Sequence, residues 1–476
     1  MAGFSTMQVI LHSSWVRYLP IWVGVAGAAT LALWLLRDPG AGLTPRIPGA
    51  DQAPDAAAAA SGNPVLAGKV LKGDGQPANL PGIWPCFRGP DRAGIAPATV
   101  SLARGWDGGA PRELWSVDLG EGYAGPAVLN GRVYVLDYDQ KNKQDALRCL
   151  SLADGREIWR FAYPVSVKRN HGLSRTTPAV TDQYVVSLGP KCHVACVDAV
   201  SGELKWGLDL VRDFGATVPP WYAGQCPLID GDRVILAPGG PDALLMAVEL
   251  ATGKVIWKTP NPHGWKMTHA SIAAGELAGR RQYVYPASHG VVGVDAADGR
   301  LLWETPDWKI SIATIPTPVL LDGDRVFLAG GYNAGALMLR LTEENGRITP
   351  KKLYRLPAEI FGATQQTPVL HGGYIYGTRP DGRFTCLDPA DGQVIWTSEP
   401  GINFGLGAFL LADGLAYVLT DSGRLVLMEA SPAKYTPLAQ AQILKGREAW
   451  GPMALVGSRL LARDLTRMVC LDVAAR

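Results

Sequence analysis

Gly-x-x-x-Trp recurs along this chain at intervals of about 45 residues, and few folds tolerate such a period. The copies are LADGREIW ending at Trp159, AVSGELKW at Trp206, LATGKVIW at Trp257, DAADGRLLW at Trp303 and DPADGQVIW at Trp396. Successive tryptophans lie 47, 51, 46 and 93 residues apart. A degenerate copy, ENGRITPKKLY ending at Tyr354, splits the last gap into 51 and 42. Trp115 in RELWSVDLG stands 44 residues before Trp159, and a weak final copy falls near Tyr435. Such a period describes one supersecondary unit that buries its apolar face only against its neighbours.

A second element recurs in phase with the first. It is an apolar strand, a Gly or Asp turn and an alternating strand, as in PAVLNGRVYVLDYD, PLIDGDRVILAPG and PVLLDGDRVFLAGG. Counting the long-turned copy SIAAGELAGRRQYVYP, there are eight. Four short antiparallel strands per unit is the pattern of a propeller blade, so the chain is predicted to be all-β, an eight-bladed β-propeller over residues 81–476. The abundance of turns agrees, with 56 Gly and 36 Pro. After Trp450 only three strands remain, GPMALV, RLLAR and MVCLDV, whereas RELWSVDL near the start has no blade of its own. Together they are predicted to close the eighth blade and remove the free sheet edges.

The N-terminus has a different composition. Tyr18 to Leu36 carries no charge and would reach roughly 28 Å as a helix, flanked by Arg17 and Arg37. Trp15, Trp22 and Trp34 lie near its two ends, as in an aromatic belt. Residues 1–37 are therefore expected to be a short tail and an uncleaved transmembrane anchor, with the bulk of the chain exported to the periplasm or the cell exterior. Residues 38–80 are rich in Pro, Ala and Gly without apolar periodicity, and are expected to form a disordered, mobile linker. The net charge of +2 gives no bulk attraction to nucleic acid.

The Ala/Asp-x-x-Gly-x-x-x-Trp spacing resembles the tryptophan-docking motif of the PQQ-like (pyrroloquinoline quinone repeat) propeller family. That family includes quinoprotein alcohol dehydrogenases and BamB propellers of the barrel-assembly machinery. The segment WPCFRGPDRAG, Trp84 to Gly94, also resembles an opening of exported propellers of this class. The resemblance covers residues 81–476. It implies the fold, and it implies either a binding and assembly scaffold working with envelope proteins or a quinoprotein oxidoreductase using PQQ and calcium.

The residues favour the scaffold. The sequence has no adjacent Cys-Cys pair, which the resemblance would place against a quinone plane, and no Cys-x-x-Cys-His for a haem. Gly-x-Ser-x-Gly and Walker-type motifs are also missing, so no catalytic residue is assigned. Most aspartates sit in repeat turns, where they bond local N–H groups. Trp115, Trp159, Trp206, Trp257, Trp303 and Trp396 are expected to dock between blades, each indole N–H finding a backbone carbonyl. Cys149, Cys196, Cys386 and Cys470 share one repeat position and are expected to be core thiols. Cys192, His193 and Cys196 lack metal-site spacing, so no metal is assigned. A disulfide involving Cys86, Cys192 or Cys226 is open in an oxidising compartment.

Ligand or partner binding in a propeller is expected where loops enter the innermost strands, just before the recurrent prolines at 126, 178, 227, 318, 368 and 452. The polar residues there differ from blade to blade. They are His171, Arg175, Tyr222, Gln225, Lys266, His269, Thr314, Gln365, Gln366, Asn403, Arg447 and Trp450. Such a set would suit an anionic or quinone-like ligand, or a partner protein.

Overall fold

A computed structural model describes residues 14–36, 62–97 and 99–475. The chain divides between residues 51 and 52, and the two units are taken separately.

In the first unit, helix α1 spans Ser14–Leu36 and contains Pro20. Its described side chains from Tyr18 to Trp34 are exposed. That stretch covers about 25 Å, against a hydrocarbon core of about 30 Å. Among the described residues no helix is long and apolar enough to cross a membrane. The expected transmembrane anchor is therefore a helix whose spanning role the fold does not establish.

In the second unit, the described strands form eight sheets of four strands, two of them extended by a fifth. Blade 1 runs Ala127–Leu129, Arg132–Asp139, Gln144–Ser151 and Glu157–Pro164 from the inside out. Blades 2 to 7 repeat this order, with innermost strands at Ala179–Val180, Leu228–Asp230, Ala273–Leu277, Val319–Leu321, Val369–His371 and Phe409–Ala412. Period-2 alternation makes each blade two-faced. In blade 3, Val234 and Leu236 pack toward blade 2, while Ile235 packs toward blade 4. The core is thus a chain of interblade layers.

The expected closure of the ring is present. Arg112–Asp118 pairs antiparallel with Arg467–Asp472, as the outermost strand of the blade built from Ala454–Val456 and Arg459–Arg463. Glu113 and Arg467 form an ion pair across it at 3.0 Å.

The recurrent Gly-x-x-x-Trp has a direct structural meaning. Gly155, Gly202, Gly253 and Gly299 have φ between +73° and +77° and lie flat on the indoles of Trp115, Trp159, Trp206 and Trp257 in the preceding blade. A Cβ on Gly202 would come within 2.7 Å of the Trp159 ring. The partner of the tryptophan within its own blade is often the repeat cysteine: Cys149 with Trp159, Cys196 with Trp206, Cys386 with Trp396 and Cys470 with Trp115. All four thiols are buried.

The expected carbonyl bond from each indole needs correction. Trp115, Trp206 and Trp396 donate to the carbonyls of Leu152, Leu250 and Ser431 at 3.1, 2.8 and 3.0 Å. Trp303 donates instead to Gln282 Oε1 at 2.8 Å, and among the described residues no acceptor reaches the buried N–H of Trp159 or Trp257. Packing against the glycine turn of the next blade is shared by Trp115, Trp159, Trp206 and Trp257, whether or not the indole N–H is bonded.

The linker expectation also changes. Residues 38–61 lie outside the described residues, but from Asn63 onward the segment is built into the propeller. The Asn63 side chain accepts from Val65 N at 3.0 Å and caps a short 3-10 turn, Pro64–Ala67, whose Val65 is wholly buried. Lys69–Lys72 then adds a fifth strand to blade 1, with Lys72 opposite Trp159. The Pro and Gly content that suggested disorder serves close backbone approach to an edge strand, which is held by main-chain bonds and shows no apolar period.

The segment Trp84–Gly94 plugs the central channel. Trp84 bridges to Val128 of blade 1, and Pro85 O accepts from Val180 N of blade 2 at 2.8 Å. Arg92 donates to the Ile229 carbonyl of blade 3. Arg88 reaches the Thr367 and Pro368 carbonyls beside blade 6 at 2.9 and 3.0 Å. Ile95–Ala96 finishes as a parallel strand on the innermost strand of blade 7.

Candidate functional site

Above the plug lies a cavity of about 340 Å³, within the range of ligand pockets. Its floor is Trp84, Phe87 and Arg88, and its walls are the loops that enter the innermost strands. Arg88 is fully engaged by carbonyls, adding those of Ala93 at 2.8 Å and Arg92 at 2.9 Å. Burial lowers its guanidinium to about 9.

One wall is an aromatic and cationic stack. Tyr123 stacks on Trp450 with centroids 5.2 Å apart, and the Arg175 guanidinium sits 4.9 Å above the Tyr123 ring. The Tyr123 hydroxyl donates to Glu448 and accepts from Gly172 N at 3.2 Å. Burial first, then the Glu448 carboxylate, push the phenol well up. Trp450 Nε1 donates to Asp421 at 2.8 Å, and the same oxygen takes Leu406 N at 2.6 Å. Arg175 donates to the Gly172 carbonyl at 3.1 Å while its buried Nε lacks a partner. Burial lowers Arg175 to about 10, so it stays cationic at neutral pH. His269, opposite, is pushed down to about 3 by burial and by the Arg175 charge, and is neutral.

Six of the expected residues line this cavity: His171, Arg175, His269, Gln365, Gln366 and Trp450. Gln366 is fixed by bonds from Nε2 to the Gly405 and Gly407 carbonyls at 2.9 and 3.0 Å. Other candidates do not line it. The Tyr222 ring is buried and its hydroxyl donates to the Lys168 carbonyl. Gln225 is turned into blade 3, where Oε1 accepts from Ala237 N at 2.9 Å. Lys266 is exposed, and the exposed Asn403 accepts from Gly405 N at 2.8 Å in its own turn. Thr314 contributes its carbonyl to His269 N at 3.0 Å, and Arg447 its carbonyl to Leu465 N at 3.2 Å.

Sequence reasoning missed Tyr123, Trp221, Tyr332 and the plug. Trp221 sits in the same pre-proline loop as Tyr222 and Gln225, whereas Tyr123 comes from the loop before Pro126, for which the sequence offered no candidate. Tyr332 comes from a different loop, the hairpin joining the second and third strands of blade 5, which opens onto the same face.

A family model described as outer membrane protein assembly factor BamB matches residues 142–398, more than half of the chain. This chain belongs to that family. Proteins named outer membrane protein assembly factor BamB match it from Yersinia pestis, 24% identical over 45% of this chain, and from Moranella endobia, 23% identical over 67%. The alignments span 66% and 70% of those relatives. Solved structures share the fold alone. BamB from Moraxella catarrhalis superposes with a TM-score of 0.53 at 14% identity, covering 76% of this chain and 100% of that one. Quinohemoprotein alcohol dehydrogenase from Comamonas testosteroni gives 0.60 at 13% identity, covering 83% and 81%.

The second likeness invites a test of this BamB-family mouth against PQQ and calcium. Among the described residues the lining offers Arg, His, Gln and aromatic groups but no carboxylate for a calcium ion. Glu448 and Asp421 are turned away to Tyr123 and Trp450. The same residues contain no cluster of three metal-ligating groups, including around Cys192, His193 and Cys196. The residues present do not fit calcium.

Proposed function

We propose that this chain is an envelope scaffold that presents its propeller mouth to a protein partner engaged in outer-membrane assembly. The family match is the observation that carries this reading. The mouth supports it. Its rings are prebuilt and partly open, Tyr332 being 40% exposed. Aromatic and Arg groups in a preformed depression are the residue types that anchor protein interfaces.

Helix α1 is proposed to hold the chain at a membrane, with the propeller on the periplasmic side. Its exposed Trp22, Trp34 and leucines support this. Residues 1–37, 38–61 and 62–476 would then act as anchor, tether and propeller. Deleting residues 14–36 would release the protein from carbonate-washed membranes. Retention of the deleted form would refute the anchor.

The competing reading, a PQQ-dependent oxidoreductase, is supported by fold likeness and by the cationic mouth. Two measurements separate the readings. A photo-crosslinking residue at Tyr332 should capture a defined envelope protein, while one at Leu353, on the outer strand of blade 5, should not. Titration of the full chain with PQQ and calcium should leave the quinone absorbance unchanged. Saturable binding with dye-linked alcohol oxidation would overturn the scaffold.

A further inference from the structure

Seven cysteines are present, and all are free thiols in the structure. Four are committed to the repeat position opposite a docking aromatic, as described above. Cys192 packs its sulfur 3.9 Å from the Met267 sulfur. Cys86 and Cys226 remain, and they belong to different parts of the fold. Cys86 is in the plug, and Cys226 is at the entry to the innermost strand of blade 3.

Both hang on the same short piece of blade 2. Pro85, next to Cys86, accepts from Val180 N at 2.8 Å, and Cys226 Sγ accepts from Thr177 N at 3.2 Å. Both line one cavity of about 270 Å³ on the lower side of the plug. Cys86 is 8% and Cys226 5% exposed. Burial raises the Cys226 thiol to about 11, and the nearness of Cys86 adds to that rise. Each sulfur has only weak local partners to give up. Cys86 donates to the Gly89 carbonyl at 3.1 Å, within its own tight turn.

We propose that Cys86 and Cys226 are a disulfide pair that staples the channel plug to blade 3. The reaction removes one hydrogen from each thiol, forms the Sγ–Sγ bond, and passes two electrons and two protons to a disulfide oxidant, which leaves as a dithiol. The raised thiol of the folded state reacts slowly, so the link forms as the chain folds, while both groups are still in water. It closes a long loop between the plug and the third blade, the situation in which a cross-link most restricts the unfolded chain. It also fixes Phe87 and Arg88, which floor the mouth cavity.

The test counts thiols on the full chain. One sample is exported through an oxidising compartment. A second is made reduced and incubated with oxidised glutathione under mildly destabilising conditions. Each is denatured, alkylated with iodoacetamide and weighed. The expected result is five alkylated cysteines and a peptide joining Cys86 to Cys226, with C86S abolishing the link and C192S leaving it intact. The oxidised protein should also melt above its reduced form. Seven alkylated cysteines in both samples, or a link between any other pair, would overturn the proposal. A link in the glutathione sample alone would overturn the proposal that the staple forms as the exported chain folds.

Discussion

The docking glycines concentrate two constraints in one atom position. Gly202 needs φ of +77° and cannot carry a Cβ without meeting Trp159. Gly346 has φ of +79° but faces open space. Replacing either with Ala adds a left-handed backbone penalty of about 1 kcal/mol. Gly202→Ala adds overpacking of about 1–3 kcal/mol on top. Chemical denaturation should therefore show Gly202→Ala as clearly worse than Gly346→Ala, and equal costs would mean that the docking contact is not what selects glycine. Asp145 gives a second residue-scale prediction. Tyr163 donates to its Oδ2 at 2.5 Å while Oδ1 is buried without a partner. Burial raises this carboxyl to about 7. Between its unfolded value near 4 and 7 the folded state binds the extra proton, so the contribution of Asp145 to stability falls as pH rises through that window. Asp145→Asn keeps an acceptor for Tyr163 and never ionises. Its melting temperature relative to the parent should climb from pH 5 to pH 8, and a flat difference would contradict the assignment.

At the scale of elements, legibility followed periodicity. The interblade strands and the closing strand were readable because a two-residue alternation and a recurring tryptophan both leave marks in composition. The closing strand is therefore a strong prediction. Deleting Arg112 to Leu119 should unfold or aggregate the protein, because Met468 to Leu471 would lose their partners and become a bare edge. A deleted form with an unchanged melting curve would refute it. The plug and Lys69–Lys72 were not readable. Lys69–Lys72 is held by main-chain bonds and the plug by main-chain bonds and by Arg88 on carbonyls, and such bonds have no sequence period. The mouth lies between these cases. Its pre-proline loops could be located, and His171, Arg175, His269, Gln365, Gln366 and Trp450 converge there. Side-chain direction within a loop could not be read: Tyr222 turned inward to the Lys168 carbonyl in the loop entering blade 2, and Gln225 to Ala237 N of its own blade.

For the whole molecule, what matters is whether a ring differs from a row. In an open row of repeats each unit is stabilised by its neighbours, and damage stays local. Here Trp115 ties the last blade to the first, with its indole beneath Gly155 and its N–H on Leu152 O. The layer around it is continuous, running from Leu419 in blade 7 through Leu461 in blade 8 to Val133 in blade 1 and Val185 in blade 2. Trp115→Ala opens a large void at that joint, costing about 3–5 kcal/mol. If closure makes the blades cooperative, amide exchange should quicken not only in blades 8 and 1 but also around Val284 and Val292 in blade 4, across the ring. Faster exchange confined to blades 8, 1 and 2 would mean that the propeller behaves as a row of repeats whose ends merely touch. The closing strand would then be an edge cover rather than the element that makes eight blades one folding unit.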